Sequence, residues 1–526
     1  MNLAVADARY AVHFIGGHAA RGNTHRLTLD RLAFAMLVLL TVSLGLGDIA
    51  QVTPLATLLL NGVRSLLPLA IGLTVLAALV DHHRWPVLPR RVSLPLAAWL
   101  VVLLLSAALA PTNRAEALAT LERPAASALL AWSTYALCAT RCRWLLLAHA
   151  VALGGLAIAL IGLAEAMDTP PIPAWLASVH DGRIPIGDVP RIASTLSHPN
   201  VAAILLELSL PLLIAWIWTA ARPWRALLAI GALGNLVAMV LTFSRAGIVA
   251  GLAALAVMAG VSCARGERRR LLTLGFVALG VPVALTWAAM TDPGLDRRLI
   301  AELTPVTYQQ SSSNTRPTRY AYWLVAADML RDHPWLGVGP DNYRWQFANY
   351  SGLADDNLGV HAHNQYFEAL ADTGILGLLT LGWLLAGLIR TAFDGVRSSA
   401  VRAGSAVVAD WPWRAALLAS LSAWLLHALL DDFERFWPAS VAFWLIAGLS
   451  LRSVQNPQRL NSQKTAPTTT TSTSRTRIPR TRQRCASSAT TAKADHAWDC
   501  PPPRHRESRR NSRRQMTLGW GRALGR

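Results

Sequence analysis

The sequence His361-Ala-His363-Asn364-Gln-Tyr-Phe-Glu368-Ala-Leu-Ala-Asp-Thr-Gly374-Ile-Leu-Gly377 ends a polar segment and begins an apolar one that continues to about Arg390. The apolar part is long enough for a helix that crosses a bilayer, so two imidazoles and an amide are predicted to lie at a membrane surface. A histidine there can accept or release a proton near neutral pH. The alternative is that both histidines are interfacial residues hydrogen-bonded to water and neighbouring carbonyls.

The composition predicts an integral membrane protein. The chain has 526 residues, of which 53% are hydrophobic and only 15% charged, whereas soluble proteins have about 25% charged residues. The net charge of +19 is concentrated at one end, because the residues from Arg459 onward contain sixteen basic and three acidic side chains. This uneven charge favours membrane lipids as partners, with no nucleic acid.

Apolar runs predict about twelve transmembrane helices and an all-α polytopic membrane protein. The predicted segments are roughly 32–48, 62–80, 92–110, 124–140, 143–165, 199–220, 223–243, 246–263, 271–290, 366–390, 414–430 and 436–452. The first of them is interpreted as an uncleaved anchor, since no short apolar stretch with a cleavage site precedes it. No internal repeat is visible.

Basic residues mark alternate connections, which predicts the orientation of the chain. The connections assigned to the cytoplasm contain Arg84, Arg90, Arg91, Arg141, Arg143, Arg222, Arg225, Arg265, Arg268, Arg269, Arg270, Arg390, Arg397 and Arg402. We therefore expect cytoplasmic termini, with long external loops at about 167–198 and 291–365. The predicted organisation is a cytoplasmic segment 1–30, a transmembrane domain 31–453 and a basic disordered tail 454–526.

Two arginines are predicted at the same membrane face as His363. Arg245 lies in Ser244-Arg245-Ala-Gly247, between two helices, and Arg191 ends the first external loop. Two guanidiniums can bind a diphosphate while a histidine handles a hydroxyl proton. Each arginine alone also has an ordinary explanation: Arg245 as a residue reaching to the interface and Arg191 as a solvated loop charge.

Other residues near this face are weaker candidates. Arg319 and Arg316 are predicted to contact a diphosphate or acceptor sugars, and Asn364 and His361 to contact substrate. His361 is expected to be more weakly anchored than His363.

Three further patterns favour structural roles. His427 and Asp431 are four residues apart and are predicted to pair with each other, and Gly337 and Gly339 indicate a turn. No residues have convincing metal-ligand spacing, so no metal and no cofactor are predicted.

The spacing His363-Asn364, nine residues, Gly374, two residues, Gly377 resembles the signature of O-antigen ligases, which is similar in O-antigen polymerases and protein O-oligosaccharyltransferases. With the Ser-Arg-Ala-Gly and Arg…His-Pro-Asn elements, the resemblance covers roughly residues 190–450. It implies a GT-C-like fold and a metal-independent inverting glycosyltransferase of the bacterial inner membrane. His363, Arg245 and Arg191 are its implied catalytic residues.

The resemblance further implies transfer of a glycan from an undecaprenyl-diphosphate carrier at the periplasmic face. The acceptor is left open between a lipid A-core sugar, another lipid-linked repeat and a protein hydroxyl, with ligation to lipid A-core favoured. A transporter or lipid flippase with about twelve helices is the alternative from another class. It is less favoured because the polar residues lie at one face rather than at the midplane.

Overall fold

The computed structural model describes residues 24–45, 62–80, 86–177, 185–186, 189–291, 319–351, 360–401 and 410–452. Its helices are α1 Thr24–Ser43, α2 Gly62–Val80, α3 Arg90–Ala108, α4 Arg114–Thr120, α5 Glu122–Leu137, α6 Arg141–Ala166, α7 Ile172–Ala177, α8 Pro199–Thr219, α9 Arg222–Leu241, α10 Arg245–Ala264, α11 Arg270–Ala278, α12 Gly280–Thr291, α13 Arg319–Asp332, α14 Tyr343–Ser351, α15 Gln365–Val401, α16 Trp411–His427 and α17 Trp437–Leu451. A short antiparallel pair, β1 Pro185–Ile186 and β2 Val189–Pro190, precedes α8.

Helices occur at all the positions predicted from apolar runs, but fewer of them qualify as membrane spans. Within the described ranges, six helices are long and apolar enough to cross a bilayer, namely α3, α6, α8, α9, α10 and the first 35 residues of α15. Helix α17 and the pair α11 and α12 are apolar but shorter. The chain is thus a multi-pass membrane protein, and the predicted number of twelve spans is not reproduced by this criterion.

Helix α8 is the centre of the bundle. Of its most apolar window, 89% is buried, against 33–50% in the other candidate spans. It packs against α16 and α10, and apart from Glu207 and Ser209 its buried side chains are almost all apolar. A largely apolar helix is stabilised when other helices surround it, so α8 is the element against which its neighbours pack.

The outermost helices present apolar side chains outward. Leu272 of α11 is 77% exposed and Leu79 of α2 is 71% exposed. In a bundle of this hydropathy such side chains face lipid, where exposure of apolar surface has no hydrophobic cost.

A small separate apolar cluster covers one end of the bundle. This outer cluster is formed by Val325, Ala326, Met329, Val338, Tyr343, Phe347, Ala362 and Ala371, from α13, α14 and the residues on both sides of the start of α15. Part of the segment predicted as an external loop is therefore a packed structure. Residues 292–318 and 352–359 of that segment lie outside the described residues, as do residues 1–23 and the tail from 453.

Helix α15 is broken at Gly374, where φ is 65° and ψ −166°. The chain at Pro334–Gly339 fills the break: Val338 N donates to Ala371 O at 2.9 Å, and Ile375 N donates to Pro334 O at 2.9 Å. A Cβ on Gly374 would collide with the backbone of Trp335. The first glycine of the His-Asn-x9-Gly-x-x-Gly spacing is thus needed where the outer cluster docks onto the membrane helix.

Candidate functional site

His363 lies just before α15, in a left-handed conformation with φ of 48°. Such a conformation is uncommon outside glycine and persists only where surrounding contacts hold it. Nδ1 of His363 lies 3.2 Å from Oδ1 of Asp431, whose side chain is 4% exposed, while the His363 side chain is 33% exposed. Since Nδ1 faces this carboxylate, Nε2 is the nitrogen available to a reacting group.

Asp431 connects His363 to Arg191 through Asn200. Asn200 Nδ2 donates to Asp431 Oδ2 at 2.5 Å, and Arg191 Nη2 donates to Asn200 Oδ1 at 2.6 Å. Arg191 Nε also donates to Thr242 O at 2.7 Å. A proton acceptor and a guanidinium are therefore parts of one hydrogen-bonded chain, which runs through residues far apart in sequence.

The electrostatics of this chain favour an ionised Asp431. Burial alone would raise the pKa of Asp431, but the hydrogen bond and positive charge of His363, together with the charge of Arg319, hold that pKa well below its ordinary range. Asp431 is thus a carboxylate at neutral pH. A carboxylate behind an imidazole fixes its orientation and stabilises its protonated form.

Arg245 is the first residue of α10, next to the turn that receives Arg191. Ser244 caps this helix by accepting a hydrogen bond from Gly247 N at 3.3 Å, and Phe243 before it has φ of 52°. Arg245 and Arg191 are both half-buried. The structure thus brings Arg191, the turn before Arg245 and His363 to one end of the bundle, while the chemical role of each remains a prediction.

His198 adds a neutral group beside Arg191. It caps α8, with Asn200 N donating to its Nδ1 at 3.1 Å. Burial and the charge of Arg191 lower the pKa of His198 to about 4. His198 is therefore neutral at neutral pH and leaves the positive charge of this corner to the arginines.

His361 has surroundings opposite to those expected from sequence. Its Nδ1 lies 2.7 Å from Oε1 of Glu368, and the two side chains are only 7% and 9% exposed. Burial by itself lowers the pKa of His361, but the hydrogen bond and charge of Glu368 raise it overall. The expectation that His361 is the more weakly anchored histidine is wrong, because Glu368, in the first turn of α15, is in hydrogen-bond contact with it. These contacts favour a structural role over substrate contact.

His361, Glu368 and Asp432 also form a group whose ligand atoms all lie within 4.8 Å of one another. Sequence spacing did not reveal it, because Asp432 is distant in sequence. Imidazole and carboxylate are ligands that suit several divalent ions, so these three residues fit a metal chemically. The hydrogen bond between His361 and Glu368, which raises the pKa of His361, makes an equally complete arrangement without an ion.

Asn364 caps α15. Its Oδ1 accepts from Tyr366 N at 2.9 Å and from Phe367 N at 3.1 Å. Its Nδ2 donates to Leu429 O at 2.7 Å, which fastens the α15 start to the chain between α16 and α17. Both halves of the amide are engaged, and this favours a structural role over the predicted substrate contact.

Arg319, one of the two weaker arginine candidates, is the first residue of α13, and its charge helps to lower the pKa of Asp431. Arg316 lies outside the described residues. Tyr322, one turn into α13, has its ring centroid 5.6 Å from that of His363. The outer cluster thus places a cation and an aromatic ring beside the exposed histidine.

The predicted pairing of His427 with Asp431 is wrong. His427 Nδ1 instead lies 2.8 Å from Oε2 of Glu207 on α8, and both side chains have no solvent exposure. Helix α16 ends at His427, so the helical spacing that would place residue 431 above residue 427 does not continue. Asp431 is consequently directed towards His363 and Asn200.

The family model described as O-antigen ligase (Wzy_C) matches residues 227–382. Residues 227–382 are therefore similar to O-antigen ligases. This confirms the resemblance drawn from the histidine signature, over a narrower range than the sequence comparison suggested. The matched O-antigen ligase region includes Arg245, Arg319, His361, His363 and Asn364; Arg191 and Asp431 lie outside it. No curated protein matches the chain.

Sequence reasoning missed Asp431 and Asn200 as partners of the site. A signal was present, since Asp431-Asp432 interrupts two apolar segments, and acidic residues between membrane helices are expected to be paired or functional. Which residue each would pair with could not be read from spacing.

Proposed function

We propose that the chain transfers a glycan from a lipid-diphosphate carrier, undecaprenyl diphosphate, to an acceptor hydroxyl, and that O-antigen ligation to lipid A-core is its reaction. The family supports glycan transfer at a membrane. The observation that carries the finer proposal is the hydrogen-bonded chain from His363 through Asp431 and Asn200 to Arg191. It joins an imidazole that can accept a hydroxyl proton to a guanidinium that can bind a phosphate.

The donor is proposed to bind with its diphosphate near Arg191 and Arg245. The guanidinium of Arg191 is held by two hydrogen bonds, to Asn200 and Thr242. A guanidinium fixed in this way loses little side-chain entropy when a phosphate oxygen binds to it. Positive charge there is most useful as the diphosphate leaves, because its charge grows as the bond to the sugar breaks.

The proposed reaction is a single displacement with inversion. The acceptor oxygen attacks the anomeric carbon on the face opposite the diphosphate, and its proton passes to Nε2 of His363. The bond between the anomeric carbon and the phosphate oxygen breaks, and the diphosphate keeps the electron pair. Asp431 stabilises the imidazolium that results.

The reaction is proposed to need no metal, since arginine charge can stabilise the leaving diphosphate. The test is transfer by purified enzyme with EDTA present. Activity lost to EDTA and restored by Mg²⁺ or Mn²⁺ would overturn this part of the proposal, and the group His361, Glu368 and Asp432 would then be the first site to vary.

The acceptor is tested by supplying wild-type enzyme and lipid-diphosphate-linked glycan with one acceptor at a time: lipid A-core, a second lipid-linked repeat or a pilin-like protein. Ligation predicts a product on lipid A-core alone. A lengthened lipid-linked glycan would indicate a polymerase, and a glycosylated protein would indicate a protein transferase. No product with any acceptor, while His363→Ala behaves as wild type, would argue against transfer altogether.

The site is proposed to face the periplasm of the bacterial inner membrane, with both termini cytoplasmic. The support is the alternation of basic connections along the sequence. Alkaline phosphatase fused after Gly352 should be active, and the same enzyme fused after Gln463 should be inactive. The reverse pattern would invert the topology.

A further inference from the structure

The three helices whose ends carry the site are joined by one buried polar contact. Helix α8 begins beside Asn200, α10 begins at Arg245, and α16 ends shortly before Asp431. Glu207 of α8 lies 2.8 Å from Nδ1 of His427, the last residue of α16. On the other side of the ring, Nε2 lies 3.5 Å from Oγ of Ser244, the cap of α10.

Such a contact is unfavourable for packing alone. Glu207 and His427 have no solvent exposure, and Oε1 of Glu207 has no hydrogen-bond partner among the described residues. Burying ionisable groups among apolar helices costs free energy that a single hydrogen bond repays only in part. Apolar residues of similar volume would hold the helices together at least as well, so packing does not account for the pair.

The pair Glu207 and His427 also contacts the turn Thr242–Ser244. His427 supports this turn at Ser244 from within the bundle, and Arg191 donates to Thr242 O from the side of the site. The turn contains Phe243 in the left-handed region, with φ of 52°, which needs support to persist. Arg245 follows directly, so the direction of its side chain depends on this turn.

Resting on the proposed function, we propose that Glu207 and His427 are positioning residues for the lipid-diphosphate donor. Glu207 fixes the ring of His427, His427 supports Ser244, and the turn so held directs Arg245 and Arg191 towards the diphosphate. The pair touches neither substrate. Its loss therefore weakens donor binding more than it slows proton transfer at His363.

The first experiment measures donor affinity and turnover for His427→Leu in detergent, with undecaprenyl diphosphate as the binding probe. Donor affinity should fall about 10–10²-fold, the scale of a small misplacement of binding groups. Turnover at saturating donor should fall less than donor affinity does. Glu207→Gln keeps the shape and an acceptor for the ring N–H, so it should retain most of the affinity; it also provides a folded variant if His427→Leu does not fold.

A matched control contacts the same helix, α8. Asn235 Nδ2 donates to Ser209 Oγ at 3.2 Å, and this pair is also buried between α8 and α9. Among the described residues, no side-chain hydrogen bond connects this pair to the turn Thr242–Ser244. Asn235→Leu should leave donor affinity unchanged, so an equal loss in Asn235→Leu and His427→Leu would overturn the positioning role.

Coupling to Arg245 gives the sharpest test, because a positioning residue acts through the residues it positions. In an Arg245→Ala background, His427→Leu should weaken donor binding by a smaller factor than in the wild-type background, since only its effect through Arg191 remains. Losses that multiply independently would overturn the proposal. If wild-type protein fails to bind the probe, the proposed function fails with it; if wild-type binds and both Glu207 and His427 variants bind equally well, only the positioning role is lost.

Discussion

The surroundings of His363 and of His361 differ although the two residues are separated only by Ala362. His363 is the exposed one: its side chain is 33% exposed, its backbone is left-handed, and its partner Asp431 lies 68 residues away, between α16 and α17. His361 is 7% exposed and is paired locally with Glu368. The difference teaches that spacing in sequence puts both imidazoles just before the same apolar helix, while tertiary contacts decide which one stays exposed.

Removing each imidazole in turn is the strongest test of this difference. His363→Ala should lower turnover about 10²–10⁴-fold, the usual range for loss of a general base, while the unfolding temperature stays close to that of the wild type. His361→Ala should lower the unfolding temperature, because it leaves Oε1 of the buried Glu368 without the imidazole, with only the bond from Ala362 N to Oε2 remaining. Transfer from lipid-linked donor and thermal unfolding in detergent measure both. A larger loss of turnover in folded His361→Ala would exchange the two roles.

The partner of His363 provides the next test. Asp431→Asn keeps the shape of the side chain but removes the charge that stabilises an imidazolium, so turnover should fall about 10–10³-fold with little change in donor affinity. Asn200→Ala should behave differently and weaken donor binding, since it frees Arg191 from one of its two anchors. Equal losses of donor affinity and of turnover in the two variants would show that Asp431 and Asn200 do not act separately on His363 and on Arg191.

The next test concerns the helix break at Gly374, where the outer cluster docks onto α15. Gly374→Ala should lower the free energy of unfolding by about 1–3 kcal/mol or more, because an alanine is strained at this φ and its Cβ meets the backbone of Trp335. Gly382→Ala is the control, since Gly382 lies in the same helix with open space where a Cβ would be. Its stability should stay the same or rise. Loss of stability in both variants would mean that the helix break has no special role.

The smallest expected effect is a pH dependence of stability that comes from Asp432, which lies beside the buried His361. Burial and the charge of Glu368 raise the pKa of Asp432 to about 6. A carboxyl with a raised pKa favours the folded state when protonated, so this contribution is full below about 4 and is lost as pH rises through about 6. At pH 8, Asp432→Asn should be more stable than the wild type by about 1–2 kcal/mol.

At pH 4 this difference should largely disappear. Thermal unfolding in detergent at both pH values measures it. A variant that is less stable at pH 8 would show that the charge of Asp432 is compensated, for instance by a bound cation.

Much of the fold could be predicted, because hydropathy is a local property. The predicted apolar segments coincide with helices, and the segment 124–140, weak by composition, is observed as Glu122–Leu137. The number of spans could not be predicted equally well, since short helices such as Trp437–Leu451 are stabilised by burial within the bundle. Length alone does not distinguish a short buried helix from a membrane span.

For the site, the sequence by itself determined the residue types and predicted that they share one face: His363 before an apolar helix, Arg245 in a break between two others, and Arg191 before a third. The tertiary structure decided the partners. Asp431 contacts His363 because α16 ends at His427, before residue 431. His427 pairs with Glu207 instead. The physical reason is that helical periodicity fixes neighbours only within one helix, whereas hydrogen bonds between helices depend on how the buried α8 packs against α10 and α16.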